Sequence, residues 1–208
     1  MIWESSPWKK ELRFNARSLI KWSKRRRSKS RSFQIERLVF LSACIMRKLW
    51  EARKLSTAWG DQQVSTISHP AKGKRSDRLN WHKIDKHYHL DRPNETSLNA
   101  IELCNRISHS YVFVESSEKP KSVAGFFFAS DKTKRHALWY VALDDFAKLL
   151  KETGRDYPTS SHWVRHSETG EWIDWSGHGS PPEEWTKFAE AMAKQHVAKL
   201  SGNNPTGQ

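Results

Sequence analysis

The amino-acid sequence predicts an α+β fold with a helical front half, a three-stranded antiparallel sheet and C-terminal helices. Apolar residues recur at helical spacing over residues 33–55. Three short runs rich in aromatic and β-branched residues follow at 111–116, 123–130 and 136–143. Their connectors are short and polar, which favours antiparallel pairing of consecutive strands. A hydrophobic content of 37% with 11 Trp is enough to build a core.

The predicted helices both precede and follow the three strands along the chain. Residues 33–55 contain the most apolar stretch, LVFLSACIM, and are expected to form the central core helix. A second helix is predicted over residues 96–109, directly before the first strand. Two further helices are predicted after the sheet, and the last of them begins near Ser180 with an S-x-x-E pattern.

The domain organisation expected from these patterns is a basic N-terminal arm or helix, residues 1–32, and an α+β body, residues 33–208. Within the body, residues 56–80 are polar and are expected to form a long loop. The Trp-rich stretch 160–179 is expected to be irregular or to form a small hairpin.

The positive charge is concentrated at the front of the chain. The net charge is +13, and residues 1–60 hold 16 Lys and Arg against four Asp and Glu, whereas residues 61–208 hold 20 against 19. Such asymmetry indicates a polyanionic partner for the basic end. Seven of the eleven residues in KWSKRRRSKSR, residues 21–31, are basic. The alternative is an arm that solubilises the chain or docks on an acidic protein.

Clustered Lys and Arg bind phosphate backbones because they release condensed counterions, and nearby aromatic rings can stack on unpaired bases. The residues expected to contact nucleic acid are Lys21, Trp22, Lys24, Arg25, Arg26, Arg27, Lys29 and Arg31. Phe33 flanks the same cluster and is a second candidate for stacking.

The sequence argues against a membrane protein and against a disulfide framework. Its longest apolar run falls far short of the roughly 20 residues that a spanning helix needs. The chain shows no secretory leader, and Cys44 and Cys104 lack paired spacing. We therefore expect a cytoplasmic protein without a membrane partner.

Asn105 and His109 are the candidate catalytic residues. They lie four residues apart in a predicted helix, so they share one face, and the Asn amide could fix the tautomer of the imidazole. A positioned neutral His can act as a general acid or base. The alternative is a His that caps the end of its helix, where the helix dipole favours positive charge.

The stretch CNRISH, residues 104–109, resembles the motif region of HEPN domains, which are all-helical nucleotide-binding and RNase modules. Their pattern is an Arg, a polar residue that is often Asn, three further residues and His. Here Cys104 stands at the Arg position, Asn105 and His109 match the other two, and Arg106 follows the Asn. The resemblance covers the helical portion 33–110. It implies a metal-independent ribonuclease formed by two protomers, with His109 as general acid/base and Asn105 as its orienter.

A second resemblance, to HNH nucleases, rests on Asn99 and His109 with histidines upstream of them. The chain departs from that family because it lacks the glycine turns of the nuclease hairpin, and the Asn–His spacing differs by one residue. We therefore predict no HNH site.

Two groups of histidines raise the question of a metal site. One group combines His82, His87 and His89 with Asp85 or Asp91, and the other contains His162, His166 and His178. Neither has the spacing of a known metal motif, so we predict no metal and no cofactor.

Four tryptophans, Trp163, Trp172, Trp175 and Trp185, could form an aromatic platform for a base or a peptide. Aromatic residues at this density more often pack irregular segments against a sheet, and we interpret them as core.

Together these patterns predict a nucleic-acid-binding protein, with RNA the favoured ligand, of a bacterial antiviral defence or mobile-element system. One alternative is a HEPN-like ribonuclease or toxin that uses His109. The other is a structural subunit that docks on an acidic protein partner. The expected partners are nucleic acid and either another protein or a second copy of this chain.

Overall fold

The computed structural model describes residues 2–73, 77, 79–117 and 122–202, and describes side chains as far as residue 197. The chain folds as two compact units. The first comprises Met1–Ala52 and Trp59–Asp156, and the second comprises Arg53–Ala58 and Tyr157–Gln208.

The first unit combines helices with one sheet. Its helices are α1 (Ser6–Ser23), α2 (Lys29–Glu51), α3 (Thr57–Asp61, which begins in the residues of the second unit), α4 (Ile84–His87), α5 (Ala100–Ser108) and α6 (Leu143–Thr153). Its strands are β1 (Gln63–Pro70), β2 (Asn94–Asn99), β3 (Ser110–Ser116), β4 (Gly125–Ser130) and β5 (Ala137–Ala142).

The sheet of the first unit is antiparallel throughout, with the strand order β2-β1-β5-β4-β3. Strands β3, β4 and β5 form a meander. The register of β4 places Phe128 beside both Phe113 and Trp139. Because α5 connects β2 to β3, which lie at opposite edges, the chain crosses the whole sheet between these two strands.

The helices pack into one core with the aromatic face of the sheet. Helix α1 contacts α2 and α6, and α2 contacts α5. Phe126 of β4 is fully buried and contacts the rings of Phe113, Phe128 and Phe146, the last at 5.4 Å between centroids. Burial of each such ring contributes about 1.5–3 kcal/mol relative to its exposed state.

The opposite face of the sheet has a smaller apolar cluster. Tyr88, which follows α4, packs with Val112, Ala129 and Leu138. Its hydroxyl donates to the carbonyl of Lys134 at 2.8 Å. The segment around α4 therefore closes this face.

The α+β class is confirmed, and the predicted three-stranded sheet is wrong in its number of strands. The meander 111–116, 123–130 and 136–143 is present as β3, β4 and β5. Strand β1 lies inside the predicted loop 56–80, and β2 is a further strand. Both were missed because their sequences, QVSTISHP and NETSLN, are polar and are strands only through pairing with each other and with β5.

The predicted helix 96–109 is also shorter than expected. Residues 96–99 belong to β2, and α5 begins at Ala100. The side chain of Asn99 accepts a hydrogen bond from the backbone N–H of Glu102 at 2.8 Å and so caps the helix. The pair Asn99 and Glu102 has the capping-box spacing, and this signal would have placed the boundary.

The expected boundary between residues 32 and 33 falls inside a helix, because α2 begins at Lys29. The N-terminal residues are helical, and Leu12, Ala16 and Leu19 of α1 are fully buried. Helix α1 is thus part of the core of the first unit.

The second unit contains β6 (Ser160–Arg165), β7 (Trp172–Gly177) and α7 (Glu183–Gly202). Strands β6 and β7 pair as an antiparallel hairpin. The Trp-rich stretch therefore adopts the hairpin that was one of its two predicted forms, and the last helix begins close to the predicted Ser180.

No helix among the described residues combines the length and the apolar character that crossing a membrane requires.

Candidate nucleic-acid interface

The basic cluster lies where α1 turns into α2, and residues 21–29 are called here the basic turn. Helix α1 ends at Ser23, and the N–H of Arg25 donates to the carbonyl of Trp22 at 3.1 Å. Helix α2 begins after Ser28, whose side chain accepts from the N–H of Arg31 at 3.1 Å. Ser28 is therefore the N-cap that ends the turn and begins α2.

A buried arginine holds the basic turn in place. The side chain of Arg31 is 1% exposed, and its Nη1 donates to the carbonyl of Arg25 at 3.2 Å. Its Nη2 lies 3.2 Å from Oε2 of Glu115 on β3, and the hydroxyl of Ser32 donates to the same oxygen. The carbonyl of Ser23 accepts from the N–H of Val123, so the sheet side of the unit fixes both ends of the turn.

The six cations of the basic turn itself face solvent. They are Lys21, Lys24, Arg25, Arg26, Arg27 and Lys29. In the described part of the chain, none of these six forms an ion pair with a carboxylate. Their charge is therefore available to an external anion.

Aromatic rings accompany these cations. The guanidinium of Arg25 lies over the ring of Trp22, 4.1 Å from its centroid. Phe33, at the start of α2, is 60% exposed. An exposed ring beside a cluster of cations suits stacking on a base whose phosphates are bound by the cations.

Arg31 is the one predicted contact residue whose position argues against contact with a ligand. Because it is buried and bound to Glu115, it cannot reach a phosphate in solution without leaving that partner. We assign it as the residue that positions the basic turn. The sequence gives no signal that separates this arginine from its neighbours.

The candidate catalytic pair lies elsewhere on the first unit. His109 follows α5 and is exposed, and its N–H donates to the carbonyl of Asn105 at 3.1 Å. The structure gives the Asn105 amide no hydrogen bond to the imidazole. Instead, Nε2 of His109 lies 2.9 Å from Nη1 of Arg47 on α2.

Arg47 was not predicted, because it is 62 residues from His109 in sequence and belongs to another helix. Its Nε also contacts Glu51 at 2.7 Å. A guanidinium can only donate hydrogen bonds, so Nε2 is the unprotonated nitrogen of this imidazole. Cys104, which stands where the HEPN pattern has an arginine, is buried in the core.

The basic turn and the contacting pair Arg47 and His109 are separate sites. Arg31 and Arg47 are 16 residues apart on α2, which corresponds to about 24 Å along the helix axis. One short ligand therefore does not contact both.

Two of the histidines considered for metal binding form local hydrogen bonds. His87 is buried and its Nε2 donates to the carbonyl of Asn80 at 3.2 Å. Nδ1 of His166 accepts from the N–H groups of Glu168 and Thr169 in the β6–β7 turn. Within the described ranges, no three His, Cys, Asp or Glu side chains lie close enough together to hold a metal ion.

The four tryptophans fall into two groups, of which Trp185 on α7 belongs to the first. Trp175 and Trp185 both lie 5.8 Å from the ring of His162 and pack between the hairpin and α7. Trp163 and Trp172 are 54% and 62% exposed. The prediction that all four tryptophans pack in the core therefore fits Trp175 and Trp185 and does not fit Trp163 and Trp172.

Comparison with protein-family models, with curated proteins and with solved structures found no match to this chain.

Proposed function

We propose that this protein binds nucleic acid through the basic turn, in the cytoplasm, with RNA as the favoured ligand. The observation that carries the proposal is the group of six exposed cations without carboxylate partners within nine consecutive residues. Phosphate groups spaced along a strand are the ligands that such a cluster favours.

The pairing of other cations supports this choice. Arg47 and Lys48 both contact Glu51, and Lys134 contacts Asp131. These three surface cations have acidic neighbours, whereas in the described part of the chain those of the basic turn do not. Their mutual repulsion is relieved when a polyanion binds.

The anchoring of the basic turn also favours binding. The hydrogen bonds from Arg31 to Arg25 and from Val123 to Ser23 fix the backbone before a ligand arrives. Only the side chains need to be ordered on binding, which lowers the entropic cost of association.

The experiment measures affinity for a labelled single-stranded RNA at several salt concentrations. The triple variant Arg25→Gln/Arg26→Gln/Arg27→Gln removes three cations of the basic turn. We expect weaker binding and a plot of log affinity against log salt whose slope is shallower by about 2, at roughly 0.7 per phosphate contact on a single strand.

The matched control removes the same charge from exposed positions outside the turn, as Lys10→Gln/Lys132→Gln/Arg135→Gln. This variant should retain the wild-type slope. Equal slopes for both triple variants would show that general charge, rather than the basic turn, determines binding. A wild type that binds neither RNA nor DNA contradicts the proposal.

The contact between Arg47 and His109 favours a second function, the metal-independent cleavage of RNA. His109 is exposed, and its Nε2 accepts a hydrogen bond from Arg47. In this reaction Arg47 would turn from Nε2 to the phosphate under attack, and the freed Nε2 would take the proton of a ribose 2′-hydroxyl. The 2′-oxygen would bond to phosphorus as the P–O5′ bond breaks, and the 5′-oxygen would leave with a proton from water.

RNA incubated with the wild type, His109→Ala and Arg47→Ala tests this second function. We expect cleavage by the wild type and by the control His136→Ala, which changes another exposed histidine, and no cleavage by His109→Ala or Arg47→Ala. Cleavage by His109→Ala at the wild-type rate, or no cleavage by any of the four proteins, excludes His109 as a catalyst.

A further inference from the structure

The β6–β7 hairpin places two exposed tryptophans and an arginine on one face. Directly paired residues of an antiparallel hairpin share a face. The pairs Trp163–Asp174 and Arg165–Trp172 therefore lie together on what is called here the outer face. The alternate pairs, His162–Trp175 and Val164–Ile173, belong to the inner face that packs against α7.

The two outer indoles have no aromatic partner in the structure. Trp163 is 54% exposed and Trp172 is 62% exposed. Across the described residues, neither ring contacts another aromatic ring, whereas Trp175 and Trp185 both contact His162. Both outer indoles therefore present exposed aromatic surface to a ligand.

Two arginines lie beside these rings. The Asp174 side chain is only 7% exposed and lies 3.1 Å from Nη2 of Arg53, which is 48% exposed. Arg165 is exposed, and its Nε donates to the carbonyl of Gly170 at 2.9 Å, so its guanidinium is held at the turn. The acidic side chains of Glu168 and Glu171 lie in the turn beyond the paired strands.

The spacing of the two indoles suits the insertion of a planar ring between them. Trp163 and Trp172 are diagonal neighbours, and such positions are about 7–8 Å apart in an antiparallel pair. Stacked bases are separated by about 3.4 Å along a strand. A base inserted between two rings at this spacing contacts both.

We infer that the outer face of the β6–β7 hairpin binds unpaired bases of a single-stranded nucleic acid. Trp163 and Trp172 stack on the bases, and Arg165 and Arg53 contact the phosphates. The inference rests on the proposed function and adds the class of ligand, since bases in a duplex do not offer their faces. A proline-rich peptide also binds aromatic surfaces, but it carries no phosphate for the two arginines.

The test compares binding of a labelled oligouridine and of a duplex RNA of equal length to the full chain. We expect the double variant Trp163→Ala/Trp172→Ala to weaken oligouridine binding about tenfold or more, with less than a twofold effect on the duplex. Trp163→Phe/Trp172→Phe, which retains stacking, should restore most of the affinity.

The control variant is Trp3→Ala, which removes a 95% exposed indole from the N-terminal segment and should bind both RNAs as the wild type does. Because both outer indoles are more than half exposed, their truncation leaves no internal cavity, and circular dichroism should confirm the fold. Photo-crosslinking with 5-iodouridine oligomers should label Trp163 or Trp172.

Wild-type affinity of the double Ala variant for oligouridine, with crosslinks confined to residues 21–33, overturns the inference and leaves the proposed function intact. Tryptophan-dependent binding of decaproline without any effect of the variant on oligouridine also overturns it. If the wild type binds no RNA or DNA, both proposals fail together.

Discussion

Glu115 on β3 accepts hydrogen bonds from both Arg31 and Ser32 on α2, each at 3.2 Å from Oε2. Arg31 is 1% exposed and Glu115 is 15% exposed. The same guanidinium holds the carbonyl of Arg25 in the basic turn. This ion pair therefore joins the sheet, the helix and the candidate interface.

Replacing Glu115 with Gln should lower the free energy of unfolding by about 3 kcal/mol. The substitution leaves a buried guanidinium without its charged partner, and loss of one member of a buried pair is costly. Urea unfolding monitored by tryptophan fluorescence measures the change. The control is Glu102, which is 52% exposed and lies 3.8 Å from Arg106. Glu102→Gln should cost less than about 1 kcal/mol, and equal losses for the two variants would contradict the assigned role of Arg31.

Replacing Gly125 with Ala should destabilise the meander. An added Cβ at this position would lie 2.4 Å from the carbonyl oxygen of Val141 and 2.5 Å from the hydroxyl of Tyr140. Relief of that overlap requires a shift of the β4–β5 pairing, and such overpacking costs about 1–3 kcal/mol. A denaturation midpoint equal to that of the wild type would show that the strands accommodate the methyl group.

Tyr88 should make stability fall at alkaline pH. Burial raises the pKa of its phenol from 10.0 to about 12. Between these values the folded chain retains a proton that the unfolded chain releases, so the free energy of unfolding decreases as the pH rises. The contribution of the neutral Tyr88 phenol to the free energy of unfolding is fully present below about pH 10. Urea unfolding from pH 9 to 11 should show a steeper loss for the wild type than for Tyr88→Phe, while Tyr157→Phe, at an exposed position, should follow the wild type.

The two thiols should differ in reactivity. Cys44 is exposed, whereas Cys104 is buried and burial raises the pKa of its thiol. Since the thiolate is the reactive form, a thiol-specific reagent should modify one cysteine in the folded chain and two in denaturant. In Cys44→Ser the native reaction should disappear. Rapid modification of that variant without denaturant would mean that Cys104 is accessible.

The meander could be predicted because strands β3, β4 and β5 are rich in aromatic and β-branched residues with polar connectors between them. Strands β1 and β2 could not be predicted in this way, since few of their side chains are apolar. Thr66 of β1 is buried, and its hydroxyl lies 3.4 Å from the carbonyl oxygen of Thr96 on β2, a relationship that no local pattern predicts. The capping pair of Asn99 and Glu102 was readable from the sequence and would have separated β2 from α5.

By itself, the sequence determined the α+β class, the position of the basic cluster and the pairing order of the meander. These properties depend on composition and on patterns within a few residues. Only the tertiary structure decided which cations of residues 21–31 face solvent, because Glu115 binds Arg31 from a strand 84 residues away. It also placed Arg47 beside His109 and turned Trp163 and Trp172 outward. Each of these results depends on contacts between distant segments or on which side of a hairpin is covered. A local sequence pattern contains no information about either.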